Sequence, residues 1–402
     1  MRDRSLLRRN ANYRSLWLAN SGSILGDWFN QVALGQVTLS LTHSPSAMGM
    51  VLLCRSLPSV LLGPVISPII DSYNKKVLML ISDLTRAAFV ILFPLAIILH
   101  TTAFLYIGAI LVGLFGVVFA PAQQATFPLI LPAKDLVQAN ALSSGTYGLL
   151  SILGAASGGI ISSFLNPIVC FLINSLSYIW SAFCIFQIHL AERKRSNPPK
   201  NAYFTSIKEG FKEAANNKVA KAIILIGISW GFAGGGYAIL IPTLGEMVYG
   251  MNGFGIGILY AVDGLGVLLG AIFVQRFIGS NDRRANLWYG IAYLTQALFF
   301  ALLAQSDVFV FGALMLLFMR FSSGIIIPLD SYLMQMHTRP EVRGRIFSLH
   351  NSTYSGVMQL SYASLGYLFE SVGIPIMGMV IGLISFLCGS FWLLHLKTFK
   401  NN

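Results

Sequence analysis

Six charged residues fall inside long apolar stretches: Asp27, Arg55, Asp83, Arg86, Asp263 and Arg320, with Glu246 near the end of another. Asp27 lies in "SGSILGDWFNQVALG", with Asn30 and Gln31 one helical turn on. Burial favours the neutral form of a carboxyl group and a nearby guanidinium favours the charged form, so a carboxylate held between the two is suited to carrying a proton. The usual catalytic and metal-binding patterns are absent: there is no CxxC, HExxH, P-loop or Ser-His-Asp signature. The sequence therefore predicts neither an enzyme nor a metal or cofactor site. Cys54, Cys170, Cys184 and Cys388 lie within apolar runs and read as buried thiols acting as small hydrophobes.

The elements that position these groups follow from composition. The chain has 402 residues, 55% hydrophobic and 10% charged, where a soluble domain carries about 25% charged residues. About 20 residues span the ~30 Å hydrocarbon core of a bilayer. Twelve runs qualify: 14–41, 46–70, 77–98, 103–123, 138–163, 168–190, 219–247, 254–278, 286–304, 308–328, 345–368 and 373–395. The first is too long for a signal peptide and carries Asp27. The expected fold is an all-α membrane protein of twelve transmembrane helices in two six-helix halves.

Lys and Arg set the expected orientation. The N-terminal arm (Arg2, Arg4, Arg8, Arg9, Arg14) and the connections holding Lys75 and Lys76, Lys134, the central 191–218 segment, Arg283 and Arg284, and Arg339 and Arg343 carry the positive charge. The alternate connections "THSPSA", "HTT", "LNP" and "AQSD" carry none. The positive-inside rule then places both termini in the cytoplasm of a multi-pass protein in the cell membrane. The net charge of +12 reads as a topology signal rather than a nucleic-acid surface.

The chain repeats at an offset of 207 residues. "VLLG" at Val60–Gly63 recurs at Val267–Gly270, Pro121 matches Pro328, and Thr146–Tyr147 matches Thr353–Tyr354. This predicts an N-terminal bundle over 1–190, a linker over 191–218 and a C-terminal bundle over 219–402. Parallel repeats are a common transporter design, with the substrate between the halves. Within the linker, "YFTSIKEGFKEAANN" has Phe204, Ile207 and Phe211 at helical spacing. It reads either as an amphipathic surface helix or as a solvated linker.

Depth decides which intramembrane charges pair. At 1.5 Å per residue, Asp27 lies about 20 Å from one face and Arg55 about 13 Å from the other, so they are nearly level. They are expected to pair, coupling protons or pinning the two helices. Asp263 is a second candidate for a cavity-facing acid, with Arg320 as partner. Asp83 and Arg86, three residues apart, are expected to bridge on the helix surface or to the nearby loop. In "SWGFAGGGYAILIP", Gly234–Gly236 either break the seventh helix at a cavity or let it pack closely. Trp230 and Tyr237 are candidate walls for an amphipathic ligand.

Twelve spans, a six-plus-six repeat and a basic central loop resemble the major facilitator superfamily. "SPIIDSYNKKVLML" is similar to that superfamily's loop between helices two and three, roughly G-x-x-x-D-R-x-G-R-R. Asp71, Lys75 and Lys76 match, whereas Ser67, Ser72 and Asn74 stand for Gly, Arg and Gly. The resemblance implies that the matching residues form a cytoplasmic gate. "GDWFNQVAL", "FAPAQQATFPLILPAKDLVQANAL" and "RPEVRGRIFSL" resemble the exporters that include macrolide-efflux and enterobactin-export proteins. In the fifth helix, "GAASGG" (Gly154, Gly158 and Gly159 matching, Ala155 in place of Pro) is similar to an antiporter motif. Helix four lacks the arginine of many proton-coupled antiporters. The resemblance implies a monomeric secondary exporter of an amphipathic small molecule, drug-like or siderophore-like, coupled to protons and embedded in lipid. A lysophospholipid flippase of the same fold and a non-transporting receptor are the alternatives.

Overall fold

The computed structural model describes residues 6–190, 217–279 and 281–396. The linker before Asn217, with the proposed amphipathic segment, lies outside the described residues. So do the side chains of 64–65, 67–69, 71–72 and 340–341.

Among the described residues the protein is helical, with no strand. A short helix, Leu6–Arg9, precedes twelve long ones. In order, α1 is Ala11–Thr42, α2 Pro45–Ser72, α3 Lys75–Ile98, α4 Ala103–Ile130, α5 Leu136–Phe164, α6 Pro167–Phe186, α7 Lys218–Val248, α8 Asn252–Ile278, α9 Asp282–Ala304, α10 Phe309–Met336, α11 Pro340–Ser371 and α12 Ile374–Leu394. Among the described residues, ten helices are long and apolar enough to cross a membrane. The two that fall short by composition are α1 and α11, each 32 residues. Length is not their limit, since such a helix is about 48 Å long. The polar residues they carry lower their hydropathy.

Several helices outrun their sequence limits. The fourth run was expected to stop at 123, yet α4 continues past Pro121 and Gln123 to Ile130, with a pause at Val117–Val118. The tenth was expected to stop at Pro328, yet α10 runs through it to Met336. Proline removes one backbone donor, and both helices accommodate that loss. Pro94 breaks α3 more visibly. It cannot donate to Val90, whose carbonyl instead accepts the Phe93 N–H at 3.1 Å. The Gly234–Gly236 run does not break α7, which is continuous from Lys218 to Thr243 and then widens into a π-turn at Leu244–Val248.

The 207-residue repeat is visible in hydrogen bonds. Asn10 caps α1 by accepting from the Tyr13 N–H at 2.9 Å, and its amide donates to the Ile130 carbonyl at 2.7 Å. Asn217 caps α7 by accepting from the Ala220 N–H at 3.0 Å, and its amide donates to the His337 carbonyl at 2.6 Å. All three positions are offset by 207. Asn74 and Asn281, also 207 apart, cap α3 and α9. His43 at φ 50° and Gly250 at φ 61° occupy equivalent left-handed positions between helices. Capping residues recur because each helix start leaves N–H groups to satisfy.

The chain divides into two compact units. The first is Met1–His43, Met50–Pro199 and Met251–Ile258; the second is Ser44–Gly49, Lys200–Gly250 and Leu259–Asn402. The first is built around Phe93, Phe171, Tyr13 and Leu16, all fully or nearly fully buried. The second is built around Ile223, Tyr289, Leu333 and Trp392.

Candidate functional site

In the first unit, α1, α2, α3 and α6 bring their polar groups together. The Tyr178 hydroxyl of α6 donates to Asp27 Oδ1 at 2.5 Å. Arg55 of α2 places Nη2 3.8 Å from the same oxygen and donates from Nη1 to Gln31 Oε1 at 2.8 Å. Asp27 and Arg55 are thus neighbours, but the tighter partners are Tyr178 for the acid and Gln31 for the arginine. A missing side chain makes room for Arg55: at Gly113 of α4 a Cβ would collide with the Arg55 carbonyl.

One layer away, Arg86 Nη2 meets Asp83 Oδ1 at 2.5 Å. This pair does not lie on an exposed helix surface, as the spacing had suggested. Asp83 is fully buried and Arg86 is 7% exposed. The guanidinium stacks 4.2 Å from the Tyr178 ring and 4.8 Å from the Phe119 ring. Tyr178 therefore presents its hydroxyl to Asp27 and its ring to Arg86. The apolar α6 segment gave no hint of this role, since an aromatic there reads as core filling.

Asn30 is fully buried, and among the described residues neither polar atom of its amide has a hydrogen-bond partner. Gly154 and Gly158 of α5 are where that helix meets α1. A Cβ at 154 would lie 2.9 Å from Trp28 Cβ, and one at 158 would lie 3.1 Å from Phe29 Cα. Gly159 faces the Met251–Ile258 segment, 2.8 Å from Gly257 Cα on the same measure. Lys76 donates to the Phe186 and Ile188 carbonyls at 2.7 and 2.9 Å, closing the end of α6. Lys75 is half-buried, and the Asp71 side chain is outside the described residues.

In the second unit, Asp263 of α8 and Arg320 of α10 form an ion pair. The guanidinium stacks 4.6 Å from the Tyr237 ring of α7 and reaches Ser323 Oγ at 3.4 Å. Ser323 in turn accepts from Gln296 of α9 at 2.7 Å. Here too a glycine makes room: a Cβ at Gly266 would lie 2.7 Å from Arg320 Cβ. Each unit thus groups an aspartate, an arginine and a tyrosine from three helices, α1, α2 and α6 in the first and α8, α10 and α7 in the second. Trp230 is not part of this group. It packs edge-on to Tyr293, with ring centroids 6.3 Å apart.

Gly234–Gly236 are contact points with α11. A Cβ at 235 would lie 2.5 Å from Ser361 Cβ and 3.1 Å from the Met358 carbonyl. Close packing is the reading that holds for this run.

One cluster has no counterpart in the sequence reading. Tyr289 donates to Asp330 Oδ1 at 2.7 Å, and His350 Nε2 lies 3.2 Å from Asp330 Oδ2. Asp330 and His350 border a cavity of about 340 Å³ that Trp230, Tyr293 and Tyr354 also line. Asp330 falls outside the tenth run because that run closes at Pro328, two residues before Asp330 and eight before the end of α10. The available signal was the apolar pattern that resumes in "YLMQM".

The Major Facilitator Superfamily sequence profile matches residues 16–361. The chain belongs to that superfamily, and its role is transport. It is similar to macrolide efflux protein A of Streptococcus pyogenes, 24% identical over 380 residues and covering 90% of each chain. It is also similar to BacE of Bacillus subtilis (strain 168), whose name assigns it provisionally to bacilysin export. That match is 25% identical over 398 residues, covering 97% of this chain and 94% of the other. Among solved structures, the nucleoside transporter NupG superposes with a TM-score of 0.75 at 11% identity, covering 96% of this chain and 99% of that one. A bacterial homologue of the iron transporter ferroportin, in an inward-facing state, does so with a TM-score of 0.71 at 14% identity, covering 97% and 99%.

Proposed function

We propose that the protein is a proton-coupled secondary exporter of an amphipathic small molecule, working by alternating access. The observation that carries this reading is the Asp27–Tyr178–Arg55 group inside an apolar bundle. An ionisable group within a membrane costs a few kcal/mol and is retained where it does work. Asp27 is the acid best placed to exchange a proton. Its side chain is 35% exposed, against 15% for Asp263, while Asp83 is fully sealed. Protonation would remove the charge that Arg55 faces and leave the guanidinium held by Gln31. The α1–α2 contact would then relax.

Relatives named for macrolide efflux and bacilysin export support the outward direction and a cargo with polar and apolar faces. The distribution of Lys and Arg supports cytoplasmic termini and residence in the cytoplasmic membrane.

Inverted membrane vesicles test this. With a macrolide as cargo, an inward-acidic gradient should drive accumulation, and collapsing the gradient with an uncoupler should abolish it. Accumulation indifferent to the uncoupler would reject proton coupling. Outward movement of lysophospholipid in place of small cargo would favour a flippase, and neither activity would favour a receptor.

A further inference from the structure

Asp27, Asp83 and Asp263 each face an arginine. Asp330 does not. Among the described residues its partners are the Tyr289 hydroxyl and the His350 ring, and no Lys or Arg pairs with it. Both partners can hold the carboxylate while remaining neutral. The Asp330 side chain is 18% exposed, and what is open faces the 340 Å³ cavity. With His350 neutral and donating from Nε2, its Nδ1 is an acceptor, and that atom is buried without a partner among the described residues. The ring fits only because position 227 of α7 is glycine: a Cβ there would lie 2.8 Å from Nδ1.

Four aromatic residues share the lining with Ile326 and Ile327. Trp230 comes from α7, Tyr293 from α9, and Phe347 and Tyr354 from α11. A carboxylate without a cation, set among ring faces, is the arrangement that selects an organic ammonium group: the acid supplies the counter-charge and the π-faces supply the shell that water would otherwise provide. The volume is at the small end of ligand pockets, enough for a substituted amine and its immediate apolar surroundings.

We propose that this cavity is a binding subsite for an organic ammonium group, with Asp330 as counter-ion and Trp230, Tyr293 and Tyr354 as its aromatic cage. The site lies wholly in the second unit and uses none of the groups assigned to proton exchange. It deepens the transport reading by naming a cationic cargo class, and rests on that reading only in taking the ligand to be cargo. Ser331 and Asn351, also in the lining, supply polar contacts for a hydroxylated amine.

Equilibrium dialysis of radiolabelled benzyltrimethylammonium against the detergent-purified full chain tests the site. The probe carries a permanent charge and no gradient is present, so a failure of proton coupling leaves this result untouched. Likewise, loss of probe binding leaves gradient-driven transport of other cargo intact as a reading. The parent should show one saturable site, for which benzyl alcohol does not compete. Asp330→Asn should bind at least tenfold more weakly, and Asp330→Glu should stay within a few-fold of the parent. Melting temperatures near the parent's exclude misfolding as the cause, and the Glu variant separates loss of charge from loss of structure. Equal binding by Asp330→Asn and the parent, or no saturable binding by the parent, overturns the proposal.

Discussion

Tyr178 and Asp27, 151 residues apart, meet through a 2.5 Å hydrogen bond from the phenol to Oδ1. Arg55 approaches the same oxygen only to 3.8 Å. A hydrogen bond to a charged group contributes about 1.5–3 kcal/mol, whereas a partly open ion pair contributes under about 1 kcal/mol. A double-mutant cycle on thermal unfolding in detergent should therefore give a larger coupling for Asp27 with Tyr178 (Tyr178→Phe) than with Arg55 (Arg55→Gln). The reverse order would make Arg55 the residue that holds Asp27.

The Asp83–Arg86 pair is sealed, so removing one member should cost more than removing both. Asp83→Leu strands a guanidinium among Tyr178 and Phe119 and should destabilise by about 3–5 kcal/mol. Asp83→Leu combined with Arg86→Met should recover much of that loss. A double variant less stable than the single one would mean that Arg86 contributes chiefly through its aromatic contacts.

Gly235 and Gly145 should respond oppositely to alanine. At Gly235 a methyl group displaces Ser361, whose hydroxyl donates to the Phe232 carbonyl at 2.5 Å, and overpacking of this kind costs about 1–3 kcal/mol. Nothing lies within 4 Å of a Cβ at Gly145 in α5, so alanine there should gain about 0.5–1 kcal/mol of helix stability. Stabilisation at Gly235 would restore the flexible-break reading of α7.

The caps that mark the repeat should be equivalent. Asn10→Ala and Asn217→Ala should each cost about 1 kcal/mol from the lost cap, plus the tether to the Ile130 or His337 carbonyl. Circular dichroism melts of the two variants should fall by similar amounts. A cost at only one of the two sites would show that the halves have diverged in what they ask of the cap.

The helices were legible because burial in a bilayer needs long apolar runs, and the repeat was legible because identical residues recur at one offset. Their ends were not, where proline sits inside a helix: α10 passes through Pro328, and with it Asp330 enters the bundle. The Asp27–Arg55 pair could be anticipated from depth along each helix and the Asp83–Arg86 pair from spacing, whereas Arg320 reads as deeper than Asp263, with which it nevertheless pairs. Tyr178 beside Asp27, Gln296 beside Ser323 and Tyr289 beside Asp330 could not be anticipated, because these contacts are made far along the chain. Small residues were ambiguous for a related reason, since Gly234–Gly236 either weaken a helix or admit a neighbour, and only Ser361 and Met358 of α11 decide which.

The central claim is that Asp27 carries the coupling proton, and the direct measurement is cargo movement by Asp27→Asn protein in proteoliposomes. Two assays on one preparation suffice: exchange of labelled macrolide at equal concentrations, and uptake against a concentration gradient driven by a pH difference. Asparagine mimics the protonated acid, so exchange should continue at a rate within a few-fold of the parent while uphill uptake falls to background. Uphill uptake by Asp27→Asn as fast as the parent's would contradict the account and move the coupling role to another acid, Asp263 first.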